Sequence, residues 1–146
     1  QTHTSFTLLN EAQLTAELQA VEAAFTTHSI AVPNHTAYPS GAYNDNVKTW
    51  TAAERQTGRT VVEPGYIIRK DDKFILKCSV CDTKTFAQIA ALIDYAMSQK
   101  KALVILIHRL DEVGYMSSTV FEQVVDYAQT AGIDIITMSQ LYALLD

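Results

Sequence analysis

His3 stands directly before TSFTLLNEAQLTAELQAVEAAF, an amphipathic helix pattern with no strand or loop in front of it, and His108 closes the apolar run ALVILIH. An imidazole titrates near neutral pH and serves as proton donor, proton acceptor or metal ligand, so both positions invite chemistry. In parallel α/β folds functional groups gather at the C-terminal ends of strands, where His108 falls. The competing role for a lone histidine there is a rim residue satisfied by a backbone carbonyl. His3, at the mouth of a helix, reads as half of a site. Between the two histidines, AYPSGAYND (residues 37–45) places Tyr38, Pro39 and Ser40 where a strand hands over to a helix.

Other reactive residues have plainer roles. Cys78 and Cys81 form C-S-V-C, a spacing used by redox pairs and zinc sites. KFILKCSVC alternates like a strand, however, which turns the two thiols to opposite faces, and no second ligand pair follows. Two ordinary semi-buried thiols are expected, in poor geometry for a disulfide. Asp71-Asp72 reads as a hairpin-like turn. His28 lies near a helix end, His35 reads as a loop residue, and Tyr43 and Trp50 read as packing aromatics.

The elements that must position these groups follow from periodicity. Leu14, Leu18, Val21 and Phe25 recur at helical spacing over 10–27, with Asn10 as N-cap and Gln13 completing a capping box. Ile30-Ala31-Val32 reads as the start of a short strand, continued or followed by Thr36-Ala37-Tyr38. A helix over 44–57 turns Val47 and Trp50 inward. From Thr60 to Val80 short strands or a long loop fit equally. Asp82 or Thr83 opens a helix to Ser98 whose inward stripe is Phe86, Ile89, Ala90, Ile93 and Met97. LVILI is then a strand of the type buried on both faces in parallel sheets. A helix from Ser117 or Ser118 turns Phe121, Val124, Val125 and Ala128 inward and ends at Gly132. Ile133 to Thr137 reads as a further strand, and Ser139 as the cap of a terminal helix. This alternation predicts an α/β fold with right-handed crossovers and a parallel sheet.

Composition narrows the function classes. The chain has 146 residues, 48% of them hydrophobic, and a net charge of −5, enough apolar content for a folded core. Its cations are scattered, so no nucleic-acid or anionic-lipid footprint is present. The stretch Ala102–Ile107 is too short to span a bilayer, so no membrane segment is expected. Gln1 is not a plausible start for a signal peptide, and the absent initiator Met agrees with a natural N-terminus further upstream.

Taken in order and spacing, QTH with its helix, AYPSGAYND, and ILIH with FEQVVDYAQTAGIDIITMSQLYALL resemble the later motifs of the NodB-homology polysaccharide deacetylases, carbohydrate esterase family 4. The resemblance covers most of the chain from Gln1 to Asp146. It implies that residues 1–146 form the C-terminal portion of a distorted (β/α) barrel, a deacetylase-like domain incomplete at its N-terminus. It further implies hydrolysis of N- or O-acetyl groups on a polysaccharide, with a divalent metal, most commonly zinc, held by an aspartate and two histidines. His3 corresponds to the second of those histidines. His108 corresponds to the general acid that protonates the departing amine. Pro39 and Ser40, with Tyr38 adjacent, correspond to the segment that supplies a backbone donor near the oxyanion and part of the groove wall.

The chain also departs from the family pattern. Ser40 stands where an aromatic residue is usual, and His35-Thr36 occupy the stretch where an arginine would precede the motif. The first motif, Thr-Phe-Asp-Asp-Gly, is absent, and the fourth has only Arg69, Asp82 and Asp111 as candidates. The chain alone is therefore expected to be inactive, with a missing N-terminal segment or a second chain supplying the rest, and to form a homo-oligomer or two-chain assembly. The resemblance also implies an extracellular or cell-surface location. The alternative is a catalytically inactive carbohydrate-binding or structural domain.

Overall fold

Helix starts are fixed by side-chain caps, and the caps set the rest of the fold. In the computed structural model, which describes residues 2–145, Asn10 Oδ1 accepts the Gln13 amide at 3.0 Å and Gln13 Oε1 accepts the Asn10 amide at 2.9 Å. This reciprocal pair opens α1 (Glu11–Thr27). Asn44 caps α2 (Asp45–Glu54) through the Val47 amide, Thr85 caps α3 (Phe86–Ser98) through a second capping box with Gln88, and Ser117 caps α4 (Ser118–Thr130). The last helix is α5 (Met138–Leu145). Its cap is Thr137, whose hydroxyl accepts the Gln140 amide at 3.2 Å, so Ser139 lies inside the helix. Gln1 and Asp146 lie outside the described residues.

Strands are short: β1 (His35–Ala37), β2 (Thr57–Arg59), β3 (Tyr66–Ile67), β4 (Ser79–Val80), β5 (Ala102–Leu103) and β6 (Ile105–Leu106). β1 pairs with β2 in parallel, β4 with β6 in parallel, and β3 with β5 antiparallel. The chain is therefore a mixed α/β protein, with one antiparallel ladder beside the expected parallel ones. Its small ladders do not close into a barrel among the described residues.

Three apolar clusters hold the elements. Phe6, Leu14, Leu18, Tyr38 and Val47 join α1 to α2. Cys81, Ile89, Ile93, Met116 and Val124 join α3 to α4, and Ile67, Leu76, Leu141 and Leu145 seat α5. Between the last two runs the apolar strand track 102–107. Leu103, Ile105 and Ile107 pack on the α3/α4 cluster, while Ala102 and Val104 face the α5 cluster. That is the two-sided pattern expected of LVILI, but every residue from 102 to 107 is only half-buried.

Some expected features are absent for physical reasons. Ile30 and Val32 are exposed and unpaired in any ladder, so the segment from Ile30 to Val32 is not a strand. The segment from Ile133 to Thr137 joins no ladder, and Ile135 is 64% exposed. Its ends are committed elsewhere: the Ile133 amide bonds Ala128 O and the Gly132 amide bonds Gln129 O, a Schellman closure of α4 with Gly132 at φ +70°. Met97 is 45% and Phe121 38% exposed, so the buried positions of α3 and α4 are Ile89, Ile93 and Ala96 and Val124 and Ala128, with Phe86 half-buried against the α3/α4 cluster.

Candidate functional site

The parallel register of β4 and β6 decides which side chains meet at their C-terminal ends. Ser79 is opposite Ile105 and Val80 is opposite Leu106. Continuing that register by two residues on each strand sets Asp82 beside His108. One carboxylate oxygen of Asp82 accepts the His108 amide at 2.8 Å, and the other meets His108 Nδ1 at 2.7 Å. A single carboxylate thus fixes both the backbone and the ring of the histidine. With Nδ1–H committed to Asp82, Nε2 is left for chemistry.

The two partners differ in exposure. The Asp82 side chain is 11% exposed and the His108 side chain 58%. Burial acts to raise the Asp82 carboxyl, but the hydrogen bonds from the His108 amide and ring, with the charge of that ring, outweigh it and hold the group below the usual carboxylate range. Asp82 therefore stays ionised and orients the His108 ring, whose exposed edge is open to proton exchange.

Tyr115 forms the adjoining wall. Its ring centroid lies 6.3 Å from that of His108, and the Arg109 guanidinium sits 5.9 Å from the Tyr115 ring while pairing with Glu112 at 2.7 Å. The loop carrying them is stitched by the Asp111 amide to Met116 O at 2.9 Å and by Asp111 Oδ1 accepting the Ser118 amide at 2.7 Å. Asp111 thus organises the start of α4, and of the acidic fourth-motif candidates only Asp82 reaches His108. Arg69 lies exposed in the turn after β3. Periodicity gave no signal for Tyr115, because it lies in a loop.

Comparison with family models, with curated proteins and with solved structures finds no match to the chain. The site therefore stands on its own geometry.

Of the other expected site residues, Tyr38 lies in the first cluster. Tyr38 is buried and packs across Gly58, where a Cβ would collide with the phenol ring. Its hydroxyl donates to Phe74 O at 2.8 Å, and burial pushes the phenol up to about 12, so it remains a protonated donor. Pro39 is buried and opens a single 3₁₀ turn; Ser40 is exposed at φ 57°, a left-handed backbone that leaves its side chain outside the core. Tyr43 stacks on Tyr38 at 5.9 Å, and Trp50 packs half-buried on the same cluster.

His3 is exposed at φ 56°, and its neighbour Thr2 is tied to Glu17 of α1 at 2.8 Å. No hydrogen bond or ring contact joins His3 to His108. Among the described residues no three His, Cys, Asp or Glu side chains converge on one point. A catalytic zinc site needs three protein ligands, so His3 alone does not fit a metal centre without donors from elsewhere.

The remaining candidates are structural. Cys78 and Cys81 are free and buried, more deeply than expected, and burial pushes the Cys81 thiol up to about 11, so it is inert. His35 lies in β1, with Nδ1 3.1 Å from Thr57 Oγ1 and Nε2 2.9 Å from Ser139 Oγ. Serine, imidazole and a third group at these spacings have the outline of a nucleophile and its base. Thr57 is fully buried, and either its hydroxyl or the ring nitrogen can be the donor. Bonded at both ring nitrogens, His35 ties β1 to α5 as a strut. Asp71 and Asp72 form the expected turn, their carboxylates accepting the Ile68 and Phe74 amides.

Proposed function

We propose that the chain carries the proton-donating half of a hydrolytic site that removes N- or O-acetyl groups from a polysaccharide. The observation that carries this reading is the Asp82–His108 couple: an ionised, buried carboxylate holding an exposed imidazole at the C-terminal ends of two parallel strands. As water adds to the acetyl carbon and its bond to nitrogen or oxygen breaks, the protonated ring passes its Nε2 proton to the leaving atom and becomes neutral, still held through Nδ1–H by Asp82, until a proton from solvent restores it. The resemblance of AYPSGAYND and ILIH to polysaccharide deacetylases supplies the substrate class and, with it, an extracellular or cell-surface setting.

Zinc belongs to this proposal only with ligands added to His3 from outside these residues. The sheet offers a place for them. Val104 and Leu106 bond to Gly65, Ser79 and Cys81, so by strand alternation Leu103, Ile105 and Ile107 aim their backbone groups at the opposite edge, which no ladder among the described residues meets. A further segment or second chain pairing there would bring new residues within reach of His108.

The test is acetate release from acetylated glycans by the chain joined to the sequence encoded upstream of it. The parent should be active, with His108→Gln and Asp82→Asn each lowering kcat by about 100-fold, as loss of a general acid does. Equal acetate release by parent and variants would end the proposal, as would zinc-dependent release by the isolated chain at the parent's rate. The second reading, a carbohydrate-binding domain without hydrolysis, draws on the lack of three convergent donors among the described residues. Glycan binding with no acetate release by the parent would select it.

A further inference from the structure

At the opposite end of the same strand track lies a cleft of about 450 Å³ that the His108 site does not use. From Lys101 to His108 an extended chain runs roughly 20 Å, so the two sites are separate. Tyr66 of β3 and Tyr95 of α3 form one wall, their ring centroids 4.7 Å apart at 47°. The Lys101 ammonium lies 5.2 Å from the Tyr95 ring and 5.8 Å from the Tyr66 ring. Lys77 faces the same cleft, and neither lysine has a carboxylate partner among the described residues.

These features specify a ligand. Two ammonium groups that pair with no carboxylate among the described residues, against the single Asp71 carboxylate in the same lining, leave a local excess of positive charge in a chain of net charge −5, which attracts an anion. Tyr95 is 46% exposed and Ile68 47%, a flat aromatic and apolar surface of the kind that takes the C–H face of a ring. Asp71 lines the cleft as well, its Oδ2 accepting the Ile68 amide at 2.9 Å and leaving acceptor capacity for hydroxyl donors. A simple phosphate has no ring face to use Tyr95, and an aromatic acid without hydroxyls gives Asp71 nothing to accept. We propose that this cleft binds a uronic acid residue, a pyranose with a carboxylate, with Lys77 and Lys101 on the carboxylate, the tyrosines against the ring and Asp71 on its hydroxyls. The source is a free sugar acid or an acidic polymer, which share this chemistry.

The site is tested on the ¹⁵N-labelled chain by following backbone amide shifts during titration with galacturonate, trigalacturonate, a neutral galactose trisaccharide and inorganic phosphate. Both acidic sugars should move the amides of Tyr66, Ile68, Tyr95 and Lys101, and the neutral trisaccharide should bind at least about tenfold more weakly, as loss of a charge-assisted contact requires. Tighter binding of trigalacturonate than of galacturonate marks a polymer as the source; equal binding marks the free acid. Lys101→Met and Lys77→Met should each weaken galacturonate by about tenfold with an unchanged circular dichroism spectrum. Tyr95→Ser, at an exposed position, tests the ring face in the same way, and His108→Ala should bind as well as the native chain. Silence of these amides toward both acids, equal response to the neutral sugar, or phosphate binding as tightly as galacturonate would each overturn the proposal. The deacetylase reading is unaffected by those results, since it is scored on acetate release at His108.

Discussion

Asp82 and His108 share one hydrogen-bonded unit, and its behaviour with pH follows from the direction of the Asp82 shift. The folded state holds this carboxyl below its unfolded value, so the unfolded chain binds more protons as the solution is acidified. The stabilisation is present above the ordinary carboxylate range near pH 4 and is lost as pH falls through the lower folded value. Asp82→Asn should therefore lower stability at pH 7 by about 1 kcal/mol, a figure kept small because water screens the exposed ring. The difference should shrink steadily as pH falls below the ordinary carboxylate range, read by urea melts across pH. At this scale the sequence exposed His108 but ranked Asp82 no higher than Arg69 and Asp111. The pairing depends on strand register, which links positions far apart in the chain, whereas the position of His108 after an apolar run is a local signal.

Among the elements, what is coded locally was legible. Asn10 with Gln13, and Ser117 or Ser118 with Gly132, mark helix ends within a few residues, and those helices begin and end there. Strands need partners, and Ile30 to Val32 and Ile133 to Thr137 have strand-like composition without a neighbour to pair with. Gly65 shows how tight the existing pairing is. Its amide bonds Ser79 Oγ at 2.9 Å, its carbonyl accepts the Val104 amide at 3.0 Å, and an added Cβ would collide with the backbone of Ser79 and Val104. Gly65→Ala should cost about 2 kcal/mol or more by forcing β3, β4 and β5 apart. Thermal denaturation followed by circular dichroism gives the answer, and an unshifted midpoint would mean that the strands give way freely.

Across the whole molecule the apolar residues form three modest clusters, and LVILI is half-covered on each face. That arrangement, with one strand edge meeting no ladder among the described residues, makes association the expected behaviour. Light scattering at tens of micromolar should give a mass above that of a single 16.2 kDa chain, falling when a complementary segment is added. A sharp monomer peak at all concentrations would show that the edge is protected. The α/β class was visible in the alternation of helical and apolar runs, but how the small ladders join was not, because closure depends on strands far apart in sequence. No helix among the described residues is long and apolar enough to cross a membrane.

The two buried thiols give the molecule a clock. Cys78 and Cys81 flank β4, whose C-terminal end carries Asp82, and neither sulfur is reachable by reagent while that strand is seated. Their modification by a maleimide in the native state should therefore proceed only through openings that also separate Asp82 from His108. The labelling rate then measures how often the proton donor loses its anchor, and a ligand that steadies β4 should slow it without touching either cysteine.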